Sequence, residues 1–249
     1  MHVNSFALTD IGRVRDENQD DYLINDELFL YVVADGLGGL KKGKEASRYT
    51  VQAVENYIRE HYSQGNSQPK EMIVRALTAA GAGFPQAVGS GSGSTVVAAL
   101  FTKERVLVAN LGDSPAYLLR RDEMSILTKE HNLFSLLVEG GRLDPRKDRN
   151  HHSRHKLTAF VGMKGPLPVH VAEFEPAQGD RLLLCSDGLT GMVPEHIIAE
   201  TLRFENNLPR AARQLVQMAN HAGGHDNITL LLVDIISMRE ELMDEGGNT

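Results

Sequence analysis

Apolar residues fall along this chain in two rhythms. Short runs of Val, Leu and Ile bounded by Gly, Asp or Pro predict strands at 2–9, 21–25, 28–35, 94–102, 105–113, 116–120, 124–128, 169–175, 180–187 and 228–236. Some, such as "LYVVA" before Asp35 and "RLLLC" before Ser186, are apolar at successive positions. That is the pattern of a strand covered on both faces. A 3.6-residue period predicts helices at 44–62, 67–80, 194–202 and 207–224. The second of these has Ser67 as a candidate N-cap and Pro69 near its first turn; glycines follow the last. Segments 63–69 and 80–94 read as loops.

The short connections between 94 and 128 predict antiparallel hairpins rather than crossovers. Strands cluster in blocks with helices between the blocks. The fold class is therefore α+β, antiparallel sheets with helices packed outside. The acidic tail at 239–249 is expected to fray.

With 249 residues, 41% hydrophobic and 24% charged, the composition is that of a globular protein. A net charge of −7 argues against partners that demand a basic surface, so neither nucleic acid nor an anionic membrane is expected. The one cysteine, Cys185, lies within an apolar run and reads as a small core residue, not a nucleophile or part of a disulfide. The chain opens on polar residues, and no apolar run approaches the roughly 20 residues of a membrane span. A cytoplasmic location is the expectation.

Charge changes the picture at five places. Asp35 ends an apolar run and is followed by Gly36, Gly38 and Gly39; Asp187 with Gly188 repeats the device. Asp226 follows two glycines just before a run, Asp20 precedes another, and Asp113 stands at the end of a third. Each alone is an ordinary turn signal. Five together suggest one shared site, where carboxylates repel one another unless a cation neutralises them. All-oxygen ligation suits a hard divalent ion, Mg²⁺ or Mn²⁺. His151 and His155, four apart in the basic segment 140–158, read as exposed residues rather than a zinc pair. His131 and His225 read as hydrogen-bonded structural residues. The run at 89–94 lacks the Lys-Ser/Thr of a nucleotide-binding loop.

The stretches "GRVRDENQD", "VVADGLGG", "GSGSTVVAAL", "ANLGDSPAYLL", "LTKEHN", "LLLCSDGLTGMV" and "GGHDNITLLLVD" occur in that order between residues 6 and 236. This set resembles the metal-dependent protein phosphatases of type 2C (the PPM family), particularly bacterial members. The resemblance implies a four-layer αββα sandwich, two antiparallel β-sheets packed face to face and flanked by helices. It makes residues 1–238 one phosphatase domain, with a flap at about 131–158 beside the active site.

The implied activity is hydrolysis of phosphoserine and phosphothreonine on proteins, opposing a serine/threonine kinase. Hydroxide held between two Mn²⁺ or Mg²⁺ ions would attack phosphorus in line. By the same resemblance Asp35 bridges the two ions, Gly36 lends its carbonyl, and Asp187 and Asp226 are further direct ligands. Asp113, with Asp187, would hold a weaker third ion. Asp20 would hold a metal-bound water, Asn227 would orient the Asp226 loop, and Arg15 would clamp the phosphate.

Several residues depart from the family pattern. Leu37 stands where animal relatives carry a histidine that protonates the leaving group, so the acid is unassigned. Gln19 stands for Glu, Pro115 for Arg, Glu130 for Asp and Leu40 for His. The phosphorylated partner protein is expected to meet a monomer. Two rival readings are a pseudophosphatase serving as a sensory binding module and a phosphatase for small phosphoesters.

Overall fold

Strand residues sort by parity. In the strand Leu30–Asp35, Leu30, Val32 and Ala34 face one core while Tyr31 and Val33 face another. This computed structural model describes residues 1–37, 42–62, 68–148 and 151–238.

The chain runs through β1 (His2–Asp10), β2 (Asp20–Asn25), β3 (Leu30–Asp35), α1 (Gly43–Tyr62), α2 (Pro69–Ala87) and β4 (Val96–Phe101). It continues through β5 (Val106–Leu111), β6 (Ala116–Arg120), β7 (Glu123–Ile126), α3 (Leu133–Glu139) and β8 (His170–Phe174). It closes with β9 (Arg181–Cys185), α4 (Asp187–Thr190), α5 (Glu195–Phe204), α6 (Leu208–His221) and β10 (Ile228–Ser237).

Two five-stranded sheets form, ordered β1-β10-β9-β6-β7 and β2-β3-β4-β5-β8, with every pairing antiparallel. Between them lies a core of Tyr31, Val33, Val97, Phe101 and Val108 against Leu182, Leu184, Leu231 and Val233. The outer face of the second sheet packs on α1 and α2 through residues such as Val54, Ile58, Ile73 and Phe84. The outer face of the first sheet packs on α5 and α6 through Ile198, Leu202, Leu215 and Val216. Central strands are thus covered on both faces, which is why their sequences are continuously apolar. Cys185 is fully buried in the outer core of the first sheet, as its run suggested. No helix among the described residues is long and apolar enough to cross a membrane.

Two local expectations need correction, and a third element is new. The segment 80–94 is not all loop, because α2 continues to Ala87. Its glycines make room for neighbours instead of turning the chain. A Cβ on Gly81 would collide with Leu167 Cδ1, and one on Gly83 with Tyr49 Oη. Pro85 sits inside α2 near its C-terminal end, where its missing N–H forgoes one helix bond. Next, the run 180–187 stops as a strand at Cys185, and Asp187 opens the short helix α4. Third, α3 was not read from its sequence; Asn132 caps it by accepting from Ser135 N at 2.9 Å. Ser67, Leu40, residues 63–67 and the tail at 239–249 lie outside the described residues.

Candidate active site

Antiparallel pairing brings the five aspartates to one end of the sandwich. Asp20, the first residue of β2, pairs with Asp35, the last of β3. β4 begins beside the end of β3, and β5 ends beside the beginning of β4, so Asp113 just beyond β5 arrives at that end too. In the other sheet β9 ends where β10 begins, bringing Asp187 and Asp226 together.

Asp35, Asp113, Asp187, Asp226, Arg15 and Gly36 line one cavity of about 220 Å³. The four aspartates are partly exposed to it. Asp20 is buried, and its Oδ2 accepts from Ser186 Oγ at 2.8 Å.

Backbone contacts fix this floor. Asp35 N donates to Thr95 Oγ1 (3.1 Å), and Thr95 N donates to Asp35 O (2.8 Å). Gly36 N donates to Gln19 O at 3.0 Å. A Cβ on Gly36 would collide with the carbonyl of Gly43, so only glycine allows the β3 end to approach α1. Asn227 ties the loop 11–19 to the start of β10. Its Oδ1 accepts from Gln19 N (2.8 Å), and its Nδ2 donates to Ile11 O (2.9 Å) and Glu17 O (3.0 Å).

Enclosed carboxylates repel, and the protonated forms gain. Burial first, then Asp20, Asp187, Asp226 and Asp113, hold the Asp35 carboxyl well above the usual range. Burial pushes Asp20 up to about 7, against hydrogen bonds from Thr229 and Ser186. Burial, Asp187 and Glu130 push Asp113 up to about 8. Burial and Asp226 push Asp187 up to about 6, against the opposing influence of His155 and Arg15.

A family model for protein phosphatase 2C matches residues 13–232, most of the chain. The chain belongs to the protein phosphatase 2C family. It is 33% identical over 245 residues to the serine/threonine phosphatase Stp of Listeria innocua, covering 91% of this chain and 93% of that one. Its fold is similar to the serine/threonine phosphatase PstP/Ppp of Mycobacterium tuberculosis, with TM-score 0.83 and 29% identity over 94% of this chain and 99% of that one. It is also similar to the PstP catalytic domain solved with two manganese ions (TM-score 0.80, 28% identity, 94% and 99% covered).

The donor set of this protein phosphatase 2C chain fits hard cations. Asp20 Oδ1 and Gln19 Oε1 are both buried without a hydrogen-bond partner. The side chains are not gathered on a common point, however. Among the described residues no group of three His, Cys, Asp or Glu side chains stands ready-made to hold a metal ion. Asp226 is instead held by Arg15, Nη2 to Oδ2 at 2.7 Å. A cation held by Asp226 would have to draw it away from the guanidinium or share it.

The histidines divide. His131 is structural as expected, its Nδ1 accepting from Gly112 N at 3.1 Å. His225 departs from that reading; it is exposed, and its ring, beside Gly223, makes no hydrogen bond with any described residue. His151 caps a short turn, its Nδ1 accepting from Ser153 N at 3.3 Å. His155 is exposed, as the sequence suggested, but it also lines the aspartate cavity. Ser186, Thr229 and Thr95 carry no sequence signal of their own; only the pairing of distant strands reveals them.

Proposed function

We propose that this chain hydrolyses phosphoserine and phosphothreonine on proteins with Mn²⁺ or Mg²⁺, opposing a serine/threonine kinase and acting as a monomer. The observation that supports this best is the convergence of Asp35, Asp113, Asp187, Asp226 and Arg15 on one cavity in a chain of this family. Asp35, the Gly36 carbonyl, Asp187 and Asp226 would hold two ions, and Asp113 with Asp187 a weaker third. Divalent ions there would activate water toward phosphorus and neutralise phosphoryl charge.

The remaining work falls to the chain's own groups. Asp20 Oδ1 is buried and unpartnered, which supports its reading as an acceptor for a metal-bound water. Arg15 presents a planar fork suited to two phosphoryl oxygens. Leu37, on the cavity wall, can give no proton. No protein nucleophile is needed, and Cys185 is fully buried, its thiol pushed above its ordinary value by burial.

A phosphothreonine peptide and an aryl phosphate, each assayed with Mn²⁺ and then with excess EDTA, test the reading. Turnover should vanish on chelation and survive thiol alkylation. Full activity in EDTA would end the proposal. Activity on the aryl phosphate alone would favour a small-phosphoester enzyme, and no activity on either a binding module.

Arg15 has two anionic claimants, Asp226 and the substrate. Arg15→Ala should raise KM for the phosphopeptide, losing about 1.5–3 kcal/mol of charge-assisted contact, with a smaller fall in kcat. It should not weaken Mn²⁺ binding, because it releases Asp226 and removes no ligand. Steady-state kinetics beside a calorimetric Mn²⁺ titration separate these effects. An unchanged KM would remove Arg15 from the substrate site.

A further inference from the structure

The geometry points to His155 as the general acid that protonates the departing serine or threonine oxygen. The inference rests on the phosphatase reading and supplies the proton donor that Leu37 leaves missing. His155 lines the aspartate cavity and also a second chamber of about 630 Å³ beside it, so it stands, with Asp113 and Asp187, where the two meet. A phosphorylated side chain reaching the aspartates must keep its ester oxygen, and the peptide attached to it, on the open side of the cavity.

The chain holds this histidine in place from both sides. The turn His152–His155 is closed by Lys156 N donating to Ser153 O at 3.2 Å, and Ser153 is buried. Leu133 N donates to Lys156 O, and Thr158 N to His131 O, both at 2.8 Å. Arg154 stacks on the buried Phe134 ring, 3.8 Å from its centroid. The His155 ring itself makes no hydrogen bond or ion pair with any described residue. It is anchored in position while its nitrogens are uncommitted.

The other charged groups facing it are otherwise engaged. Asp35, Asp113, Asp187 and Asp226 are claimed by cations in this reading. Arg15 does not release its proton at neutral pH. In the second chamber Glu130 is held by Asn132 Nδ2 (2.8 Å) and Arg154 (3.8 Å), and Glu195 by Tyr117 Oη (2.9 Å). His151 has its Nδ1 engaged with Ser153 and lines the second chamber but not the aspartate cavity, and the neighbouring Lys156 lines neither.

The step balances simply. As the P–O ester bond breaks, its electron pair goes to the side-chain oxygen, which takes the imidazolium proton of His155. Water supplies the oxygen that joins phosphorus, and the imidazole is reprotonated from solvent.

The test compares leaving groups. An alkoxide is strongly basic and needs a proton, whereas p-nitrophenolate does not. In the Mn²⁺-loaded enzyme, His155→Gln should lower kcat/KM for a phosphothreonine peptide by about 100-fold or more and leave p-nitrophenyl phosphate little changed. In His155→Ala, added imidazole should restore peptide turnover. Two readouts do not depend on turnover. The Mn²⁺ binding isotherm of His155→Gln should match the wild type. In the Mg²⁺-loaded wild type, the ring resonances absent from the His155→Gln spectrum should shift on adding inorganic phosphate.

Equal losses on both substrates, no loss on either, or a weakened Mn²⁺ isotherm would overturn the assignment. A wild-type protein inactive on both substrates would instead overturn the phosphatase reading, and this inference with it.

Discussion

Asp35→Asn is expected to abolish phosphopeptide hydrolysis and, in EDTA, to melt at a higher temperature than the wild type. Asp35 stands at the centre of the carboxylates, and its own carboxyl is held far above its ordinary range by enclosure and by four like charges. The metal-free fold must either ionise it against them or keep it protonated. Asparagine keeps the shape and drops the charge. The contacts of the residue 35 backbone with Thr95 are untouched, so the end of β3 stays in place.

Each kcal/mol recovered by the metal-free fold appears as about 2–4 °C in Tm for a chain of this size. Function moves the other way. Losing the ligand proposed to bridge two cations removes several kcal/mol of transition-state stabilisation, a factor on the order of 10³ or more in rate. Asp113→Asn, at the proposed weaker site, should spare core binding. Mn²⁺ calorimetry and melting in EDTA measure both halves. Wild-type Mn²⁺ affinity in Asp35→Asn, or a lower melting point in EDTA, would show that residue 35 is not the hub.

Much of this was legible because burial on both faces leaves an unambiguous mark. Continuous apolar runs ending on Asp35 and just before Asp187 can only be covered strands whose ends emerge at a polar site. Glycine was the less faithful signal. At Gly36 it marks a close backbone approach, but at Gly81 and Gly83 it makes space for Leu167 and Tyr49, so a helix was taken for a loop. Such packing depends on residues more than eighty and thirty positions away, which no local pattern contains.

His155 was opaque for a similar reason. In the sequence it is one basic residue among many; only the packing of the turn His152–His155 against α3 sets it beside the aspartates. The Arg15–Asp226 pair likewise spans 211 positions, which no local pattern contains.

The same carboxylates predict an inverted pH dependence for the metal-free protein. An unfolded aspartate releases its proton near pH 3.9. In the folded chain Asp187 holds its proton to about 6, Asp20 to about 7 and Asp113 to about 8. Below about pH 4 both states are protonated, so the slope vanishes and the stability these groups lend is fully present. Between about pH 4 and each folded value the folded state binds the extra proton, so stability falls as pH rises, by up to about 1.4 kcal/mol per group per pH unit.

Melting in EDTA should therefore occur at a higher temperature at about pH 5.5 than at about pH 8, the opposite of a protein held by salt-bridged aspartates. Mn²⁺ should reverse the trend, since a cation that replaces those protons stabilises most where the charges are fully developed. Its effect on Tm should be largest at the alkaline end. Binding should also release protons, so its heat should vary with the ionisation enthalpy of the buffer. A Tm in EDTA that climbs from about pH 5.5 to about pH 8, or a binding heat independent of buffer, would mean that the aspartates are ionised before any cation arrives. The close gathering of Asp20, Asp113 and Asp187 would then not govern how this protein takes up metal.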